Sequence, residues 1–210
     1  MKSGGGDLNI KGWARLPFRF SAAELDKLSK LNPHIGRGQR LLDMQAVSDA
    51  LPKTFKNTIR KMGFDPTPNR AVGFTKSKDT NWALPWHQDR VIAMTHRNDD
   101  PAYRNWSCKS GIWHCEPPED TLKQMAFAYI AFDDINDENG GIELADGSHQ
   151  HGKIPEADIP LRLSSSNLVK PDMSSGDVII ISALTLHRSA ILTSHGRRST
   201  LRIDFSRQVE

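Results

Sequence analysis

The chain has 210 residues, of which 37% are hydrophobic and 25% are charged. This length suits one well-buried domain and is short for two, and no stretch approaches the roughly 20 apolar residues of a membrane span. The net charge of +3 is mildly basic, and the Lys and Arg residues are dispersed, which argues against a nucleic-acid surface. We therefore expect one domain over residues 1–210 with a small-molecule ligand, an acidic one being the simplest inference, and neither nucleic acid nor membrane as a partner.

The cysteine pattern and the N-terminus indicate the compartment. Cys108 and Cys115 lie outside any Cys-x-x-Cys pattern, which is typical of reduced thiols rather than of a disulfide framework. The start of the sequence, MKSGGGDLNIKGW, lacks the apolar core of a signal peptide. We expect a soluble, cytoplasmic protein, whose oligomeric state the sequence leaves open.

The first predicted elements are helical. Residues 1–7 are rich in glycine and are expected to be flexible. Ser21 and Glu24 have the spacing of a capping box, which predicts a helix that begins after Ser21 and runs to about Leu31.

A second helical region is expected over residues 41–61. Pro52 predicts a local break inside this region, and Gly63 is suited to end it. Residues 8–65 are therefore predicted to form a helical flank.

The remainder of the chain has β character. Short apolar runs bounded by turn residues, and one run that alternates with period two, predict strands. The predicted strands are residues 71–74, 84–86, 125–132, 142–144, 177–182 and 200–206, with turns at 139–141 and 146–148. The polar segment 95–118 is expected to be a lid-like insert in a β core of residues 70–207. The predicted class is mainly β with flanking helices, in a β-sandwich or jelly-roll barrel.

One strand carries candidate metal ligands. In the sequence LPWHQDR (84–90), an extended backbone places His87 and Asp89 on one face and Gln88 on the other. Chance alone gives roughly 0.7 such His-x-Asp pairs in a chain with eight histidines, so the pair needs support from elsewhere. Two imidazoles and one carboxylate on one side of a metal form an Fe(II) site with open positions. His187, after the apolar run 178–186, is the best third ligand, and a satisfied core histidine is the alternative.

Several motifs in chain order resemble one enzyme family. They are HQD at 87–89, NGGIELADGSH at 139–149, Gly176-Asp177 before an apolar strand, His187-Arg-Ser189, and Arg198. This set resembles the phytanoyl-CoA dioxygenase family of Fe(II)- and 2-oxoglutarate-dependent oxygenases, over about residues 13–205 and more loosely in the first third. Asp146 departs from the family, which commonly has proline there. The resemblance implies a double-stranded β-helix, with His87, Asp89 and His187 as the catalytic iron ligands.

The resemblance also implies a site for 2-oxoglutarate. Arg198, eleven residues after the third ligand, would bind the distal carboxylate, which a guanidinium fork matches in shape. Ser189 would donate a hydroxyl hydrogen to the same group, and Lys76 is a further candidate contact. Arg197 and Arg202 are the alternatives to Arg198, and a solvated basic edge is the other interpretation of both.

Other histidines and aromatic residues have weaker patterns. His114 and Glu116 repeat the His-x-carboxylate spacing, but two prolines follow at once, which favours a loop. His149 and His151 lie in a predicted turn without a nearby glutamate motif, which favours a cap or turn role over a zinc site. The candidate substrate contacts are Trp106, Trp113, His114 and Arg90.

The resemblance implies an enzyme. It would hydroxylate an unactivated C–H bond of a small-molecule metabolite while 2-oxoglutarate is decarboxylated to succinate. Fe(II), 2-oxoglutarate and O2 are the implied cofactors, and ascorbate is a candidate reductant. Asp89 favours hydroxylation over halogenation, because related halogenases lack this carboxylate, whereas desaturation and cyclisation would use the same ligands. The alternatives from other classes are a catalytically silent double-stranded β-helix that binds a metabolite and a zinc-dependent hydrolase.

Overall fold

The computed structural model describes residues 4–31, 36–193 and 196–207. Its helices are α1 (Gly4–Lys11), α2 (Ala22–Ser29), α3 (Met44–Ala50), α4 (Lys53–Lys61), α5 (Glu119–Lys123) and α6 (Ile159–Ser164). Its strands are β1 (Trp13–Arg19), β2 (Gln39–Leu41), β3 (Arg70–Lys76), β4 (Leu84–His87), β5 (Ile92–Met94), β6 (Arg104–Lys109), β7 (Ile112–Glu116), β8 (Met125–Ala131), β9 (Ile142–Ala145), β10 (Leu168–Val169), β11 (Asp177–Ser182), β12 (His187–Ser189) and β13 (Arg198–Ser206). The predicted class, mainly β with flanking helices, is confirmed.

Local signals define several helix ends of the flank, although α2 ends at Ser29 instead of about Leu31 and residue 41, predicted to be helical, belongs to β2. The hydroxyl of Ser21 accepts a hydrogen bond from the Glu24 backbone N–H, and the Glu24 carboxylate accepts one from the Ser21 N–H, which completes the capping box of α2. Pro52 divides the predicted helix 41–61 into α3 and α4 and is the N-terminal cap of α4. Gly63, with a φ of 85°, follows α4 in the left-handed region that favours glycine.

Other features of the first third were not predicted. Residues 4–7, expected to be flexible, begin α1, and residues 1–3 lie outside the described residues. β1 and β2 interrupt the helical flank and form the two edges of a sheet. None of the described helices is long and apolar enough to span a membrane.

The described strands form three antiparallel sheets. The largest has the order β1-β11-β8-β13-β3-β2, the second has the order β10-β9-β12-β4, and the third has the order β5-β7-β6. On one face of the largest sheet, Ala128 and Leu201 pack against Phe55 of the helical flank. On the other face, Phe127 packs in one cluster with Leu144 of the second sheet. The largest sheet therefore lies between the helices and the second sheet.

The alternation of β13 determines the chemistry of the interior. Leu201, Ile203 and Phe205 belong to the helix-side core. Because side chains alternate along a strand, the opposite, interior face carries the even-numbered residues. These are Arg198, Thr200, Arg202 and Asp204, all of them buried. The interior face of β13 is therefore polar and carries a net positive charge. An apolar core would have no need of these charges, so they indicate a binding site.

The segment 95–118, predicted to be a lid-like insert, contains most of the third sheet. His114 to Glu116, predicted to be a loop, belong to β7, which pairs with both β5 and β6. The loop prediction was wrong because the two prolines end the strand instead of preventing it. Pro118 is the N-terminal cap of α5. β7 is the central strand of this small sheet, and its residues His114 and Cys115 are buried.

Candidate metal centre and adjoining cavity

Three predicted ligand side chains converge in the structure. His87 ends β4, His187 begins β12, and the two residues face each other in the antiparallel pairing of these strands. Asp89 follows β4, held by a hydrogen bond of 2.9 Å from its backbone N–H to the carbonyl of Ala183. One nitrogen of each imidazole and one carboxylate oxygen all lie within 4.8 Å of one another. The donors are thus two nitrogens and one oxygen.

Both imidazoles present the same nitrogen to the centre. Nδ1 of His87 lies 2.8 Å from the carbonyl of Pro85, and Nδ1 of His187 lies 2.9 Å from the carbonyl of Thr185. A carbonyl only accepts, so each Nδ1 carries the hydrogen and each Nε2 keeps a free lone pair. Burial, then the neighbouring His187, lowers the pKa of His87 to about 4. The neutral form of His87, which is the form that binds metals, is therefore dominant near pH 7.

The carboxylate of Asp89 has one paired and one free oxygen. Oδ1 accepts a hydrogen bond of 2.5 Å from Arg202. Oδ2 is buried 3.3 Å from Nε2 of His187 and has no hydrogen-bond partner among the described residues. Burial raises the pKa of Asp89, but Arg202 and the imidazoles offset this and hold the pKa well below its usual range. An ionised, buried oxygen beside two imidazole nitrogens suits a divalent cation such as Fe(II), so this donor set fits an iron ligand site.

A cavity of about 360 Å³ opens beside these residues and contains Arg198. Arg198 is 2% exposed and donates a hydrogen bond to the hydroxyl of Tyr129, while its Nε is buried without a partner in the described part of the chain. Lys76, opposite Arg198 in the β3–β13 pairing, donates to the hydroxyl of Ser189 at 2.5 Å. Burial, then the charge of Arg198, lowers the pKa of Lys76 to about 7. Neither cation forms an ion pair with a described carboxylate, as expected for a binding site for an anion.

The phytanoyl-CoA dioxygenase family matches residues 32–200, which is most of the sequence. The chain belongs to this family. The predicted resemblance is therefore confirmed, and the chain is an enzyme of the Fe(II)/2-oxoglutarate-dependent oxygenase superfamily. No curated protein shows significant sequence similarity to it.

Solved structures of similar fold support the same architecture. The structure of EctD from S. alaskensis with 2-oxoglutarate and 5-hydroxyectoine is similar with a TM-score of 0.71 at 14% identity, over 99% of this chain and 76% of that one. AviO1 from Streptomyces viridochromogenes Tue57 has a TM-score of 0.66 at 14% identity, over 97% of this chain and 93% of that one. SnoK, an α-ketoglutarate-dependent carbocyclase from nogalamycin biosynthesis, has a TM-score of 0.64 at 16% identity, over 99% and 84%. The predicted double-stranded β-helix is confirmed.

In this member of the dioxygenase family, Arg197 and Arg202, the two alternatives to Arg198, both lie beside carboxylates. The side chain of Arg197 is 58% exposed and lies 3.9 Å from Asp133. Arg202 forms ion pairs with Asp89 and with Asp204, each at 2.5 Å. Both therefore already have described carboxylate partners, in contrast to Arg198.

The other predicted site residues of this dioxygenase-family chain are dispersed. Arg90 donates to the carbonyl of Ile154 and to Gln88, and it lines neither this cavity nor the second one beside it. Trp106 and Trp113 pack edge to face with ring centroids 6.2 Å apart, and they also line neither cavity.

The remaining histidine candidates separate into two roles. His114 is buried and lines the second cavity. His149 lies in the 3-10 turn Ser148–His151, and its Nε2 lies 3.1 Å from the carbonyl of Asn9, in keeping with the predicted turn role. Tyr129, Arg40 and Arg70 also line these cavities, although no sequence motif marks them. Their positions follow from strand alternation once the register of the sheet is known.

Proposed function

We propose that the protein is an Fe(II)- and 2-oxoglutarate-dependent dioxygenase that hydroxylates an unactivated C–H bond of a small-molecule metabolite, with release of succinate. The observation that carries this proposal is the buried cation Arg198, without a described carboxylate, in the cavity beside the donor set of His87, Asp89 and His187. A zinc hydrolase needs the donors but not the cation. A metabolite-binding protein needs the cation but not the donors.

The two imidazoles and Asp89 would hold the iron. Bound there, Fe(II) with 2-oxoglutarate and O2 supplies the oxidising power for the C–H bond, and ascorbate would act as a reductant for the metal. The chain itself fixes the donors: the carbonyls of Pro85 and Thr185 orient the imidazoles, and Arg202 holds one oxygen of Asp89 so that the other faces the centre.

The proposed 2-oxoglutarate site follows from the same contacts. Arg198 would bind the distal carboxylate, with its guanidinium oriented by the hydroxyl of Tyr129. Ser189, whose oxygen accepts from Lys76, would turn its hydroxyl hydrogen from the carbonyl of Gly140 to this carboxylate, and Lys76 would add charge when it is protonated. Phe127 and Ile142 line the same cavity and exclude water from the reacting groups.

Hydroxylation is the reaction that the donor set supports best. Asp89 occupies the position that a halide takes in related halogenases, so halogenation is disfavoured. Desaturation and cyclisation would use the same residues, and among the similar structures SnoK is a carbocyclase and SnoN an epimerase. The outcome therefore depends on how the substrate is held, and product analysis distinguishes these reactions.

Anaerobic titration tests the cofactor assignment. Addition of Fe(II) and then 2-oxoglutarate should produce a weak visible charge-transfer band. Asp89→Ala should abolish the band and succinate formation, whereas Arg198→Gln should raise the 2-oxoglutarate concentration needed for both. Circular dichroism checks that each variant is folded. The absence of the band in folded wild-type protein would contradict the proposal. A metabolite library, assayed for stimulated succinate release, then identifies the substrate.

A further inference from the structure

A second cavity adjoins the cavity of about 360 Å³ beside His87, Asp89 and His187, and the two cavities share two arginines. The volume of the second cavity is about 320 Å³, and Arg40 and Arg70 line both cavities. Met44 of α3 and His114 of β7 line only the second one. The two shared arginines therefore mark the junction between the proposed oxidation site and a neighbouring space.

Strand register places Arg40 on the interior face. Arg40 pairs with Val72, and Val72 pairs with Arg202, so these three residues form one row across β2, β3 and β13. Side chains in a row share a face of the sheet. Neighbouring strands lie about 4.8 Å apart, which places the Cα atoms of Arg40 and Arg202 about 10 Å apart. Arg202 contacts Asp89, so Arg40 lies about one small metabolite away from the proposed iron ligands.

The arginines of this face differ in their partners. Arg202 is paired with Asp89 and Asp204, and Arg70 is paired with Asp204 at 2.7 Å. Arg40 forms no ion pair within the described part of the chain, and its Nε is buried without a hydrogen-bond partner there. The residue as a whole is half-buried and lines both cavities, so an anion in the cavity can pair with a guanidinium that has no described counter-charge.

His114 supplies a second unpartnered polar atom. Its side chain is 2% exposed, and its Nδ1 lies 3.0 Å from the carbonyl of Ile112, so Nδ1 carries the hydrogen. Nε2 is buried and has no partner among residues 4–31, 36–193 and 196–207. Burial, then the charge of Arg40, lowers the pKa of His114, so Nε2 keeps a free lone pair near pH 7. This atom can accept a hydrogen bond from a ligand hydroxyl.

We propose that Arg40, flanked by Arg70 and His114, forms a subsite for the acidic group of the substrate, a carboxylate or phosphate that carries or adjoins a hydroxyl. The guanidinium of Arg40 binds the anion, and Nε2 of His114 accepts the hydroxyl hydrogen. This inference rests on the proposed function, since it names the substrate class of that site. The acidic group is then separated by several bonds from the carbon that is oxidised.

Isothermal titration calorimetry of the metal-free chain tests the subsite. Inorganic phosphate, glycolate and acetate serve as probes, and Arg198→Gln provides a background in which the other anion site is removed. Within that background, Arg40→Gln should weaken phosphate binding about tenfold or more, because a charge-assisted hydrogen bond is lost. Arg60→Gln, which removes an equal charge from the exposed face of α4, should leave binding unchanged. The same comparison in otherwise wild-type protein guards against poor folding of the background.

The probes also distinguish the chemistry of the ligand. Glycolate should bind more tightly than acetate, and His114→Phe should abolish that preference. Tighter binding of phosphate than of glycolate identifies a phosphorylated substrate, and the reverse order identifies a hydroxy acid. Equal phosphate binding by Arg40→Gln and the wild type, or no binding by the folded wild type, would overturn the subsite.

Failure of the subsite and failure of the proposed function give different results. A normal charge-transfer band together with unchanged phosphate binding by Arg40→Gln would reject the subsite alone. Phosphate binding that depends on Arg40, in protein that gives no band, would reject the oxygenase function and leave an anion site.

Discussion

Arg202 is the residue that joins the candidate metal centre to the polar face of β13. Its guanidinium contacts Asp89 and Asp204 and lies 4.1 Å from the ring centroid of Phe127. All three partners are in the interior, where an unpaired charge is costly. Arg202 therefore contributes to the fold and also orients a proposed ligand.

Loss of Arg202 should destabilise the metal-free protein strongly. Arg202→Gln leaves Asp89 and Asp204 with less counter-charge in a buried setting, so we expect the free energy of unfolding to fall by about 3–5 kcal/mol. Urea denaturation followed by circular dichroism measures this change. The matched control is Lys30→Gln, which removes the partner of Asp26 in an ion pair whose two side chains are both well exposed, and it should cost less than about 1 kcal/mol. Equal costs would show that the ion pairs of Arg202 do not stabilise the interior.

Lys76 should make 2-oxoglutarate binding depend on pH. Its pKa is lowered to about 7 from the ordinary 10.5, first by burial and then by Arg198. A carboxylate bound at Arg198 favours the ammonium form, so its binding raises that pKa and takes up a proton above pH 7. We expect the affinity for 2-oxoglutarate to fall as the pH rises from 7 towards 9. Calorimetry in buffers of different ionisation enthalpy measures the proton uptake.

The control for this pH dependence removes the titrating group. Lys76→Met keeps an unbranched side chain in the buried position but cannot be protonated. Below pH 7 its affinity for 2-oxoglutarate should be lower than that of the wild type, and between pH 7 and 9 its affinity should change little with pH. A wild-type slope that persists in Lys76→Met would assign the titration to another residue.

Among the elements, the turn between β8 and β9 supports the loop after Ser189, which lines the cavity beside the candidate metal centre. Gly140 has a φ of 70°, and a Cβ placed on it would lie 2.5 Å from the carbonyl oxygen of Ala190. That carbonyl accepts a hydrogen bond from Lys76, and the carbonyl of Gly140 accepts one from Ser189. The turn and this loop are therefore in direct contact, and glycine is required at the point of contact.

Substitution of Gly140 tests that contact. Gly140→Ala adds both left-handed backbone strain and a clash with Ala190, so it should lower the free energy of unfolding by about 2–5 kcal/mol and weaken 2-oxoglutarate binding. Gly111→Ala is the control, because its φ of 78° imposes similar strain but no described atom lies within 4 Å of the added Cβ. It should cost about 1–2 kcal/mol. Thermal and urea unfolding of both variants measure the difference between their losses of stability. Equal losses would show that the turn can move away from Ala190 and avoid the clash.

The elements that could be predicted are those specified by local signals. The capping box defined the start of α2, and the apolar run after Gly176 defined β11 to the residue. β1 alternates, with Ala14, Leu16 and Phe18 inward and Arg15, Pro17 and Arg19 outward, but it was missed because Pro17 argues against a strand. As an edge strand that pairs only with β11, it tolerates this proline. β7 was missed because the prolines that follow it favour a loop, whereas its pairing with two neighbouring strands buries His114 and Cys115.

At the scale of the whole molecule, the donor set depends on long-range pairing. His87 and His187 are 100 residues apart in sequence and meet because β12 pairs with both β4 and β9. The sequence could predict that two histidines and one aspartate are the ligands, and that His87 and Asp89 lie two residues apart on one strand face. It could not predict that Arg202 neutralises Asp89 or that Arg40 lacks a partner, because both depend on the register of β13, β3 and β2.

Because the donors come from segments remote in sequence, a bound metal should stabilise the whole fold. A ligand that binds only the native state adds about 2.7 kcal/mol at 100 times its Kd, which corresponds to about 5–10 °C in Tm for a chain of this size. We expect Ni(II), a redox-stable substitute for Fe(II), to raise Tm by this amount in differential scanning calorimetry and chelation to reverse it. Asp89→Ala should abolish the shift, whereas Asp120→Ala, whose side chain is 92% exposed on α5, should keep it. A metal-dependent shift that survives in Asp89→Ala would place the metal elsewhere in the chain.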